Sequence, residues 1–119
     1  MSEFANLERE LKGLTNEYDK LSVEYRDMIE KSVRLRHALD MARARATIES
    51  VTGDKKTTVD VRRAEVDLQC DKQELDAHLA EGYVEAAKAR LRALDTQITA
   101  VQSRVRHNMA ELTQFRASV

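Results

Sequence analysis

The chain has 119 residues and a formal net charge of -1, with 34% charged residues, three glycines, no proline and no tryptophan. That length holds at most one domain, and a proline-free, charge-rich composition belongs to long helices rather than to sheets or disulfide scaffolds. The near-zero charge removes bulk electrostatics as an argument for nucleic acid, the single Cys70 rules out an intrachain disulfide, and no apolar run reaches the length of a bilayer span.

The first element is expected to be a helix over about residues 3–50. Ser2 is a suitable N-cap and Glu3 places a carboxylate at the positive end of the helix dipole. Along it, Phe4, Leu7, Leu11, Leu14, Tyr18, Leu21, Tyr25, Met28, Ser32, Leu35, Leu39, Ala42 and Ala46 fall on one stripe, with alternating steps of three and four, and only Ser32 is polar. A 3–4 alternation sustained for so many turns is a coiled-coil seam, not the broader stripe of a globular helix. The opening Met-Ser-Glu-Phe carries neither the basic nor the apolar region of a signal peptide, and with the lone cysteine it leads to the expectation of a cytoplasmic protein.

A turn is expected over about residues 51–57, where Gly53 can close the first helix. Thr57 offers an N-cap for the next, with Asp60 three residues on. The second helix is expected over about residues 58–116. So short a connection makes the two helices antiparallel neighbours, and residues whose numbers sum to about 107 should lie level. The fold class expected is therefore all-α, an antiparallel two-helix coiled-coil hairpin in a single domain.

The second helix carries its own seam, through Val84, Ala87, Leu91, Leu94, Ile98, Val101, Val105, Asn108, Leu112 and Phe115. Before it, the apolar positions Val61, Ala64, Leu68, Leu75 and Leu79 run in a different phase, so a slip is expected between Ala80 and Tyr83, with Gly82 inside it. One reading absorbs the slip as a stutter in a continuous helix, the other places a kink near Gly82. Leu112 and Phe115 lie beyond the reach of the first helix on the fold-back map. A lone hairpin is also thinly stabilised, so self-association is expected to cover them.

Charge is banded along the chain. Residues 1–30 hold four basic and eight acidic side chains, 31–63 nine and four, 64–95 four and eight, and 96–119 three and one. Folding the chain back places basic 31–50 beside acidic 64–76, an arrangement that selects register more than it adds stability.

Chemistry-bearing residues are sparse. His37 falls level with Cys70 on the map, but a structural metal site wants four ligands and nothing supplies the rest. No phosphate-binding glycine loop, nucleophile elbow or pocket-forming segment is present, so no enzyme activity, cofactor or metal is expected. Arg43, Arg45, Lys55, Lys56, Arg62 and Arg63 crowd the turn and could meet phosphates. Against that, the arginines Arg34, Arg36, Arg90, Arg92, Arg104 and Arg106 flank the seam positions Leu35, Leu91 and Val105 and can pair with acidic groups opposite, and no aromatic side chain is interleaved for base stacking. Protein binding is thus expected ahead of nucleic-acid binding, with no membrane contact.

The segments Lys55-Lys-Thr-Thr-Val-Asp-Val-Arg-Arg-Ala64, Leu91-Arg-Ala-Leu-Asp-Thr-Gln-Ile98 and Gln102-Ser-Arg-Val-Arg106 resemble a group of small two-helix accessory proteins of tailed bacteriophages. The resemblance covers roughly residues 20–110 and carries no activity over to these positions. It implies a phage accessory protein in a bacterial host, near replication or recombination functions, with a host or phage protein as partner. Prefoldin beta subunits are hairpins of similar length, but the connection from Val51 to Lys56 is too short for the β-hairpin segment they carry there.

Overall fold

A computed structural model describes residues 3–52 and 58–118. Among these the chain is all-α, with three helices, α1 (Glu3–Thr52), α2 (Val59–Gln69) and α3 (Asp71–Ser118), and no strand. Two compact units divide it, one of Met1–Tyr25 with Ala87–Val119 and the other of Arg26–Ala86.

The 3–4 stripe of α1 is the face that packs. Leu7, Leu39 and Ala46 are buried and every other stripe position from Phe4 to Ala42 is half-buried, Ser32 included. Apolar residues off the stripe, such as Val23, Val33 and Ile48, are exposed despite their side chains. Burying a leucine such as Leu39 removes its apolar surface from water, worth about 1.5–3 kcal/mol, and such positions repeat along the helix.

The expected caps at Ser2 and Thr57, and Gly53, Lys55 and Lys56 of the turn, lie outside the described residues. The cap of α2 is Thr58, one residue on from Thr57. Its backbone is extended (φ -69°, ψ 158°), and its hydroxyl accepts a hydrogen bond from the Val61 N–H at 3.4 Å. Asp60 then sits in the first turn of α2, where its charge meets the positive helix end.

The second helix departs from expectation at Cys70, which separates α2 from α3; at Gly82 it follows the reading of a continuous helix and not the kink, since Gly82 lies inside α3 with no unusual φ. The interruption is local. The Cys70 N–H donates to the Val66 carbonyl at 3.0 Å, and the Glu74 N–H donates to the Cys70 carbonyl at 2.9 Å.

The reason lies in the phase of the seam. Apart from the half-buried acids Glu74, Asp76 and Glu81 at its flanks, the half-buried and buried positions of α3 run Gln73, Ala77, Ala80, Val84, Ala87, Leu91, Leu94, Ile98, Val101, Val105 and Asn108, an unbroken alternation of four and three. No slip is needed between Ala80 and Tyr83, because the alanines face inward and the leucines before them do not. The phase changes earlier instead. Arg62, Val66 and Cys70 are spaced by four and four, which overruns the heptad, and the helix yields at Cys70.

The resulting core of the second unit is small-sided: Leu39, Ala46, Cys70 and Ala77 are buried together, with Leu35, Ala42 and Val66 packed around them. Helix axes approach most closely where such residues meet. Val61, Ala64, Leu68, Leu75 and Leu79, expected in the seam, are all exposed, Leu68 to 79%. At the other end, Leu112 and Phe115 continue the seam spacing but are 47% and 67% exposed.

Candidate interaction surfaces

Cross-helix ion pairs account for much of the basic texture. Arg36 donates through Nε to Glu81 Oε1 at 2.8 Å, and Arg43 through Nη2 to Glu74 Oε2 at 3.0 Å, with Asp67 at 3.8 Å from the same nitrogen. In the first unit Arg90 donates to Glu17 Oε1, from Nη2 at 2.6 Å and from Nε at 3.2 Å. Each arginine flanks the seam, so its stem covers apolar surface while the guanidinium meets a carboxylate from another helix. Arg34 instead pairs with Glu30 one turn back on α1.

Of the six basic residues singled out near the turn, Lys55 and Lys56 lie outside the described residues. Arg45 and Arg63 are exposed, and Arg43 and Arg62 are half-buried. Arg43, Arg62 and Arg63 line one open groove of about 510 Å³, together with Thr47, Ser50, Val51, Val59, Val66 and Asp67. Its valines make it as much an apolar groove as a basic one, and Asp67 places an acid within it. The Arg43 Nε and the Ser50 Oγ are buried without a hydrogen-bond partner.

Cys70 is not paired with His37. The thiol is buried against Leu39, Ala46 and Ala77, whereas His37 is exposed. Among the described residues no three His, Cys, Asp or Glu side chains converge on a common point, and no helix is long and apolar enough to cross a membrane.

A second feature of the Arg26–Ala86 unit went unread in the sequence because its residues were assigned inward. Val61, Ala64, Leu68, Leu75 and Leu79 form an outward apolar stripe on α2 and α3, away from the seam through Val66, Ala77 and Ala80. Leu79 also borders an open groove of about 610 Å³, with Met28, Leu35, Ala80 and Tyr83 as its apolar walls and Lys31 and Asp76 beside them. The signal was present in the alternation 73–77–80–84, which leaves the leucines at 75 and 79 no place in the seam.

Compared with protein-family models, with curated proteins and with solved structures, the chain matches none of them.

Proposed function

We propose that this chain is a non-enzymatic coiled-coil interaction module, folded as an antiparallel helical hairpin, that self-associates and binds another protein. Support for the hairpin comes from the ion pairs of the Arg26–Ala86 unit. From Arg36 to Arg43 the chain advances seven residues on α1, while their partners step back seven on α3, from Glu81 to Glu74. On the resemblance to phage accessory proteins, the proposed setting is a bacterial cytoplasm during phage infection and the proposed partner a host or phage protein.

The observation that carries the protein-binding reading is the division of labour between side chains. Arg36, Arg43 and Arg90 are engaged with carboxylates of the same chain, whereas large apolar side chains stand in solvent on α2 and α3. Neutralised arginines are poor phosphate ligands, because a phosphate would have to displace a carboxylate already in contact. Exposed apolar stripes of this size mark protein contacts.

A second reading, nucleic-acid binding at the end of α1, draws on the groove that gathers Arg43, Arg62 and Arg63. Fluorescence anisotropy with labelled DNA and RNA at two salt concentrations separates the two. The protein-binding reading expects weak affinity at physiological salt, little altered by replacing Arg43, Arg45, Lys55, Lys56, Arg62 and Arg63 with glutamine. Tight binding with a steep salt slope, abolished by those replacements, would favour nucleic acid, since each phosphate contact releases counterions.

A further inference from the structure

Within the Arg26–Ala86 unit, α2 is held far more lightly than the helices on either side of it. None of its residues is buried; Arg62 and Val66 are half-buried and the others from Val59 to Gln69 are exposed. Val66 packs on the core of the unit, whereas Val59, Val61 and Leu68 stand in solvent. Eleven residues make a helix too short to persist by itself in water, so α2 depends on what it packs against.

The junction with α3 is also thin. Cys70 leaves the helical values (φ -101°, ψ 9°). The backbone ladder there keeps the bonds from the Cys70 N–H to Val66 and from the Glu74 N–H to Cys70. It lacks the bonds that a continuous helix carries from the N–H groups of Asp71, Lys72 and Gln73 to the carbonyls of Asp67, Leu68 and Gln69. Such a gap is a place where a chain bends without losing further hydrogen bonds.

The surface that α2 meets on α1 is imperfectly satisfied. Arg43 and Ser50 share a groove with Val59, Arg62, Arg63 and Val66 of α2, and the Arg43 Nε and Ser50 Oγ are buried without a hydrogen-bond partner. Arg43 meets Glu74 of α3 at 3.0 Å but Asp67 of α2 only at 3.8 Å. Closing α2 thus sets the contacts of one half-buried valine against two stranded polar atoms, which water reaches again when α2 lifts. Between α1 and α3 the balance is the opposite: Leu35, Leu39, Ala42 and Ala46 pack with Ala77, and Arg36 and Arg43 pair with Glu81 and Glu74.

We propose that α2 is a hinged strap, which lifts from α1 as a unit by bending at Cys70 while α1 and α3 stay packed against each other. Opening bares the end of the small-sided core at Ala46 and Cys70, both buried when the strap is closed. Access to this end of the seam then depends on the strap. The device follows from packing alone and holds whether or not the chain binds another protein.

Amide hydrogen exchange on the full chain, followed by NMR, tests this. A unit that opens together gives its hydrogen-bonded amides one common protection. Residues 63–70 should share one value, at least about tenfold below those of residues 36–46 and 77–84. Val66→Ala removes the strap's apolar anchor and should lower the shared value about tenfold further. Leu35→Ala weakens the packing between α1 and α3. It should lower the urea midpoint and the protection of residues 77–84, yet leave the α2 value within about twofold of the parent, because those contacts persist when the strap is open. Four results would overturn the proposal. They are no protection at all in residues 63–70, protection equal to that of residues 77–84, values graded from the ends of α2 instead of shared, and an α2 value that ignores Val66→Ala or falls with Leu35→Ala in step with residues 77–84.

Discussion

Leu39 is the side chain on which the second unit turns: it is fully buried, and the residues around it are small, Ala46, Cys70 and Ala77. Truncating it leaves a void that alanines and a cysteine cannot fill, so Leu39→Ala should cost about 2–5 kcal/mol in urea unfolding. A cost below about 1 kcal/mol would mean that the site collapses freely. Gln73 occupies a seam position with its Oε1 buried and without a hydrogen-bond partner. Gln73→Leu removes that orphaned acceptor and should stabilise the protein by about 1–2 kcal/mol, read as a raised melting temperature. Gly82 and Gly13 sit within helices where an added Cβ meets nothing within 4 Å. Gly82→Ala and Gly13→Ala should each stabilise by up to about 1 kcal/mol, because alanine loses less backbone freedom in a helix. A drop in melting temperature for either would show that the glycine is needed for a contact made outside the single chain.

At the scale of the element, the decisive quantity is phase. The seam of α1 was legible because it is built from leucines, tyrosines and a methionine, so that hydropathy and burial select the same residues. The later half of α3, from Leu91 to Val105, was legible for the same reason. Between Arg62 and Ala80 the two criteria diverge: inward positions hold Val66, Cys70, Gln73, Ala77 and Ala80, and the larger leucines face out. A reading that follows the largest apolar residues there adopts the wrong face and must then invent a slip at Gly82. Neighbouring substitutions expose the difference. Ala80→Glu puts a charge into the seam and should cost several kcal/mol, visible as lost helicity or an early melt. Leu79→Glu, one residue away on an exposed position, should leave the helical content and the melting of the single chain nearly unchanged. The reverse outcome would return the leucines to the seam. At the end of α3, spacing identifies the face of Leu112 and Phe115 but not how far the opposite helix extends. The first described residue of α1, Glu3, lines a groove with Ser103, Arg104, His107, Asn108 and Glu111, and the two apolar residues lie at and beyond that level.

For the whole molecule, the charge bands were legible as a pattern, but the contacts they make were not. The fold-back map holds where Arg90 meets Glu17, but Arg36 meets Glu81 and Arg43 meets Glu74 about ten residues off it, and His37, set level with Cys70, is exposed while Cys70 joins Leu39 and Ala46. Individual ion pairs on such half-exposed side chains contribute about 0–1 kcal/mol each, so they act mainly by discriminating between registers. The antiparallel hairpin on which the proposed function stands is tested most directly by paired cysteines in a Cys70→Ala background, treated with a short thiol-to-thiol linker in dilute solution. Arg36→Cys with Glu81→Cys, and Arg43→Cys with Glu74→Cys, should each cross-link within one chain, while the exchanged pairs, 36 with 74 and 43 with 81, should not. Efficient linkage of the exchanged pairs, or linkage only between chains, would contradict the hairpin.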